Sequence, residues 1–235
     1  TRDPYFNGLD VISCPTHIQN REVINYNLSV FLCHKFYTII LNVSANKHRR
    51  INYMAQFKNN DFGDVLLNRH SVRHFDKGVK ISRAELREIV KEATTAPSAC
   101  NLQAWQFVVV DTDEGKKKLH EFYMPFNNPQ IDTSSAVIQI FGNTLAFKKY
   151  RALWDQMYAE NRISKEELDK VYNTFLPLYE HADKTMLTAD AMVDSSLAAM
   201  QLMLIARAHG YETNAMAGYD AKKAASVMGL DPEQY

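Results

Sequence analysis

From about Thr188 to Ala208, the residues Ala191, Leu197, Ala198, Met200, Gln201, Leu204 and Ile205 leave little polar surface on several faces of a helix. A helix of that kind has to be covered on most sides, as the central element of a domain or at an interface between copies. Its methionines are read as packing residues. Gly210 follows as the expected left-handed stop. Whatever this chain folds into must wrap such a helix.

The segments around it supply the cover. Ser82 and Glu85 are spaced as a capping box, and Ile81 with Leu86 as a hydrophobic staple. Leu86, Ile89, Val90 and Ala93 then form one apolar stripe that Pro97 brings to an end. Gln106 to Val110 and Ala136 to Phe141 are nearly continuous apolar runs, expected as strands of a sheet buried on both faces. A short helix through Lys117 and Leu119 lies between them. Helices are predicted from about Phe147 to Glu160 and from a second capping box, Ser164 with Glu167. Asp64 to Leu67 reads as one helical turn and Asp220 as a cap. With no internal repeat or low-complexity linker after Met54, the order of elements is that of one α+β domain.

Composition narrows the function classes. Twenty-seven basic residues balance 27 acidic ones, so no global field favours nucleic acid or an anionic membrane. Cys14, Cys33 and Cys100 make neither a disulfide framework nor a metal-ligand spacing, and no metal site is expected. That usage is expected in a reducing cytosol, which places the protein in the cytoplasm. Leu28 to Val43 is broken by His34, Lys35 and Asn42, too polar for a spanning helix. Residues 1–53 show no sustained period. They read as an atypical N-terminal extension, an appended or read-through stretch, with the working domain expected over 54–235.

Two segments carry the chemistry. Arg69-His70-Ser71-Val72-Arg73-His74-Phe75 packs two fixed charges, a hydroxyl and two imidazoles ahead of an aromatic anchor. Arg69, Ser71 and Arg73 alternate, so an extended backbone points them to one side, and arginine suits phosphate through its planar fork. About 25 residues on, Pro97-Ser98-Ala99-Cys100-Asn101-Leu102-Gln103-Ala104-Trp105 sets Ser98, Asn101 and Gln103 at one strand mouth, where hydroxyl and amide groups suit a flat heteroaromatic ligand. A solvated basic turn and a polar loop are the plain alternatives. A thiol hydrolase using Cys100 is a rival, but no helix N-terminus or base accompanies it, and it reads as a small buried residue.

These two segments, with Gly210-Tyr211-Glu212-Thr213-Asn214-Ala215-Met216-Ala217-Gly218-Tyr219, resemble the signatures of the FMN-dependent nitroreductase family over about Asp64 to Tyr235. The resemblance implies an α+β fold with a central mixed or antiparallel sheet flanked by helices, dimeric through the long helix. It implies FMN at the subunit interface, NAD(P)H as reductant, and a nitroaromatic, quinone or similar small-molecule acceptor served by a ping-pong mechanism. The flavin carries the chemistry, so no catalytic side chain is expected. By the same resemblance Arg69 and Ser71 lie at the phosphate end and Arg73 at the N1–O2 edge, with His70 counted among the cofactor-binding residues. Pro97, Ser98, Asn101 and Gln103 lie along the ring and ribityl chain, and Met216, Ala217 and Gly218 lie near N5.

Departures are visible. Ala104 stands where the family usually has proline, which is expected to loosen the turn without removing a hydrogen-bonding group. Tyr219 replaces the usual phenylalanine. Members continue with a further strand, a basic phosphate contact and a tail beyond the point of Tyr235, so the C-terminal strand is expected to be missing. A flavin-binding remnant without turnover is the alternative this suggests.

Overall fold

The structure, a computed structural model, describes the strand backbone of 27–32 and 35–40 and residues 57–235. The chain divides into two units, Thr1–Met54 and Ala55–Tyr235. In the first, β1 (Asn27–Leu32) pairs antiparallel with β2 (Lys35–Ile40), Asn27 opposite Ile40 and Leu32 opposite Lys35. The lack of a period does not predict this hairpin. Its strands are rich in the β-branched and aromatic residues that favour extended backbone. Cys14, Cys33 and the boundary at Met54 lie outside the described residues.

The second unit begins with α1 (Phe62–Leu67), capped by the Asp61 carboxylate. In α2 (Arg83–Ala93) the Ser82 hydroxyl accepts from the Glu85 N–H at 3.1 Å. The reciprocal half of the expected box is not made. The Glu85 carboxylate instead accepts from Tyr211 at 2.8 Å and Lys58 at 3.2 Å. At Ser164 both halves are present, opening α6 (Lys165–Glu180). Before it, a 3-10 turn at Ala146–Lys149 leads into α5 (Tyr150–Ala159).

β3 (Trp105–Val110) pairs antiparallel with β4 (Val137–Gly142), Trp105 opposite Gly142 and Val110 opposite Val137. Between them run α3 (Asp113–Leu119), a 3-10 turn at Pro125–Asn127 and α4 (Asn128–Thr133). Burial on both faces is incomplete, because Val109 is 38% exposed. The antiparallel pairing explains it: such a sheet can leave one face wet, whereas a parallel one is covered by its crossovers.

The long helix, α7 (Lys184–Ala208), starts earlier than its apolar run, at the Asp183 cap. It ends at His209, with Gly210 at φ 86. By length and composition it could cross a bilayer, yet it is the hub of this unit. Ala198 packs with Ala96 and Trp105, and Leu202 and Ala206 pack with Ile89 and Ala93 of α2. Gly142 of β4 permits the closest approach: a Cβ there would lie 3.2 Å from that of Ala191. Against expectation for an apolar helix, the buried side includes Asp190 and Asp194, whereas Met192 is 64% exposed. A last helix, α8 (Ala221–Val227), is capped by Asp220 and packs through Ala224 and Ala225 on Leu119, Phe122 and Ile131.

Candidate functional site

The 69–75 segment follows α1, bends at Arg73 and His74 where an extended run was expected, and lies beside the 210–219 segment. Ser71 bridges Thr213 in parallel, and the Val72 N–H donates to the Thr213 carbonyl at 3.1 Å. Helix α1, which leads into the first segment, and the 210–219 segment are both pinned to the end of α7. Arg207 donates to the Asp64 carboxylate at 2.9 Å and also pairs with Glu212. The Tyr211 N–H donates to the Ala206 carbonyl. Hydrogen bonds from Asn68, Arg207 and Asn59 hold the Asp64 carboxyl down at about 2.

Arg69 is half-buried, and Ser71 and Arg73 are exposed. None of the three side chains has a hydrogen-bond or ion-pair partner among the described residues. His70 turns back, its Nδ1 meeting the Asn68 carbonyl at 3.0 Å.

The 210–219 segment is held by a residue that sequence reasoning missed. Asn127, only 2% exposed, donates from Nδ2 to the Ala217 carbonyl at 2.7 Å and to that of Gly218 at 3.2 Å. The Met124 N–H also reaches the Gly218 carbonyl. The N–H groups of Ala217 and Gly218 donate to nothing among the described residues. Gly218 sits at φ 78, and the space its missing side chain leaves is taken by the Phe126 ring: a Cβ would lie 2.4 Å from Phe126 Cζ. The face of Gly218 that a side chain would occupy therefore already holds an aromatic ring. Met216 packs on the α8 cluster. The Thr213 hydroxyl is buried without a partner.

Beneath the two segments lies a cavity of about 540 Å³, lined by Val72, His74, Phe75 and Thr213–Met216 above and by Ile138, Ile140, Leu86 and Leu202 below.

The 97–105 segment is built differently. It makes a 3-10 turn at Ala99–Asn101, and Cys100, Asn101 and Gln103 have φ of 50, 58 and 49. Left-handed backbone at residues other than glycine costs roughly 1–3 kcal/mol each and persists only when the surroundings over-determine it. Here they do. The Gln103 N–H donates to Ser98 Oγ at 3.1 Å, and Gln103 Nε2 to Asn101 Oδ1 at 3.2 Å. Asn101 Nδ2 reaches the Met157 sulfur on α5 at 3.6 Å. The Ala99 and Ala104 N–H groups both donate to Asp194. Ala104 thus corrects the expectation of a looser turn, since it supplies a donor that proline lacks. Pro97 is exposed and Ser98 half-buried.

Cys100 is half-buried rather than buried, a free thiol packed with the aromatic cluster of α5 and α6. Burial, then Cys100 itself, pushes the hydroxyl of Tyr179 up. No cluster of metal-binding side chains occurs among the described residues.

The structure therefore brings the first and third segments together and keeps the second apart. Asp194 and Ala206 are 12 residues apart on α7, about 18 Å at the helical rise.

A sequence model of the nitroreductase family covers residues 66–235. The chain belongs to the nitroreductase family. It is an oxidoreductase with that family's α+β fold, as the motifs led us to expect. The CLA biosynthesis enone reductase of Lactiplantibacillus plantarum is 52% identical over 177 residues, 75% of this chain and 82% of that protein. YdgI of Bacillus subtilis, named as an NAD(P)H nitroreductase, is 39% identical over 178 residues, 76% of this chain and 85% of its own. A structure from Exiguobacterium sibiricum, solved in complex with FMN, superposes with a TM-score of 0.72 at 38% identity, covering 75% of this chain and 84% of that one.

Proposed function

We propose that this nitroreductase-family chain is an FMN-dependent oxidoreductase, passing hydride from NAD(P)H by way of the flavin to nitroaromatic, quinone or similar acceptors in a ping-pong sequence. The observation that carries the reading is a set of donors without a partner among the described residues, gathered on two adjoining segments. Half-buried Arg69 and exposed Ser71 and Arg73 lie on the segment bridged to Thr213, whose hydroxyl is orphaned, and the N–H groups of Ala217 and Gly218, without acceptors among the described residues, follow a few residues on. Their chemistry fits FMN. Arg69 and Ser71 would hold the phosphate through charge-assisted and hydroxyl hydrogen bonds. Arg73 would offset negative charge at the N1–O2 edge, and the two N–H groups suit a ring nitrogen acceptor.

Two copies of the chain complete the site in this reading. The α7 anchors of the 98–104 loop and of the 210–219 segment, Asp194 and Ala206, stand about 18 Å apart along the helix, and α7 turns Met192, Leu197 and Met200 outward. A face of exposed methionine and leucine on the central helix supports a homodimer in which one protomer's 98–103 loop meets its partner's arginines.

The relative at 52% identity is an enone reductase, which favours an activated carbon–carbon double bond as a further acceptor class. The test is direct. Purified protein should show a flavin absorbance spectrum that NADPH or NADH bleaches, and a nitroaromatic, a quinone or an enone should restore it. Absence of flavin at saturating FMN sinks the reading. Bound flavin that neither nucleotide bleaches points instead to a remnant without turnover.

A further inference from the structure

Asp194 is 1% exposed, on the buried side of α7. Its two oxygens do separate things. Oδ1 accepts the Ala99 N–H at 2.9 Å, and Oδ2 accepts the Ala104 N–H at 3.3 Å. Between those two donors lie the three left-handed residues Cys100, Asn101 and Gln103. The carboxylate therefore bridges both ends of the strained stretch, and Ser195, the next residue of α7, donates to the Ala104 carbonyl at 3.3 Å. No cation pairs with Asp194 among the described residues. Asp190 one turn away on α7 and Tyr179 on α6 are the titratable groups that face it.

We propose that Asp194 is a positioning residue, holding the 98–104 backbone in the conformation that presents Ser98, Asn101 and Gln103 to the flavin, and doing so as a carboxylate. The proposal rests on the reading of that loop as a flavin contact. Only an ionised carboxyl offers acceptors on both oxygens and no donor. A protonated acid or an amide sets an N–H or O–H against one of the two backbone donors. The two-point hold depends on Ala104, because a proline there would have no N–H to give. Burial and the neighbouring Asp190 carry the Asp194 carboxyl up to about 6 against the pull of the two N–H groups. The hold is thus complete at neutral pH and released in mild acid.

The test uses the full chain with FMN. Amide proton shifts of Ala99 and Ala104, followed from about pH 8 to about pH 5, should titrate together with one midpoint near the carboxyl's value, and Asp190→Asn should lower that midpoint. FMN affinity, read by flavin fluorescence, should fall about tenfold in Asp194→Asn at neutral pH, the size expected for a lost hydrogen bond to a charged group. The phosphate of FMN titrates in the same range, so the comparison is between the two proteins: the wild type should lose more affinity on acidification than the variant. A folded Asp194→Asn protein with unchanged FMN affinity and pH profile overturns the proposal. So do flat Ala99 and Ala104 shifts in the wild type, a result that needs no variant to fold. Wild-type protein that binds no FMN fails the functional reading instead, while the amide titration still reports whether Asp194 holds the loop.

Discussion

The buried Asn127 amide donates to the carbonyl of Ala217 at 2.7 Å, joining residues 90 apart in sequence. One side chain thereby sets the course of the 216–218 backbone. Asn127→Ala would take the amide donor from the Ala217 carbonyl while Gly218 keeps the Met124 N–H, a loss of about 0.5–1.5 kcal/mol, and should also weaken FMN binding. Asn127→Asp should be worse at neutral pH, because it turns a carboxylate toward two carbonyl oxygens. Thermal melts with and without FMN measure both; an Asp variant as stable as wild type would contradict this account.

Asp64 and Asp194 should pull stability in opposite directions with pH. The Asp64 carboxyl is depressed from 3.8 to about 2, so its contribution is present above 3.8 and lost as pH falls through about 2. The Asp194 carboxyl is raised from 3.8 to about 6, so the native state keeps its proton longer and stability declines as pH rises across that interval. Urea denaturation at a series of pH values should show Asp64→Asn flattening the acid limb and Asp194→Asn flattening the upper one. Swapped effects would reverse the assignment.

The two arginines should act at different ends of one ligand. Arg69→Ala should mainly weaken FMN binding, by roughly 1.5–3 kcal/mol for a charge-assisted hydrogen bond. Arg73→Ala should in addition lower the flavin reduction potential, since positive charge near N1 favours the reduced form. Equal binding losses with an unchanged potential would remove this division of labour.

Met192 and Met200 lie on the outward face of α7, 64% and 40% exposed. Met192→Lys or Met200→Glu should leave the single chain folded, because neither contributes to the core, yet should dissociate the proposed dimer and release FMN together with it. Sedimentation of the loaded protein on dilution reads both. A monomer that retains stoichiometric FMN would end the two-subunit site.

The first 53 residues should be dispensable for FMN binding, since each of the three segments lies within the Ala55–Tyr235 unit. A chain beginning at Met54 should fold and bind FMN as the full chain does. Loss of either property would make the N-terminal unit integral.

Much of this was legible in the sequence because it is local. Ser82 and Ser164 cap helices through N–H groups three residues on, and Gly210 stops α7 where only a left-handed residue continues the turn. The family signatures at 69–75 and 97–105 could be read the same way, since each is a short run of residue types. Glu85 shows the limit. Its spacing from Ser82 predicts a reciprocal box, but Tyr211 and Lys58 lie closer to its carboxylate once the chain has folded.

What only the tertiary structure decided are the contacts between distant residues. On a helical projection Asp190 and Asp194 look like solvent-facing breaks in an apolar run. The burial of Asp194 follows from a loop some 90 residues earlier that needs acceptors for its strained backbone. Asn127 belongs to a polar stretch with no periodicity, and its partners come from the far end of the unit. Ala104 reads as the loss of a proline until its N–H finds Asp194. The sequence determined the helices, their caps, the two apolar strands and the chemistry of the exposed donors, because neighbours along the chain decide those. The fold decided which buried polar groups hold the loops in place, because a buried donor or acceptor must be paired wherever in the chain its partner lies.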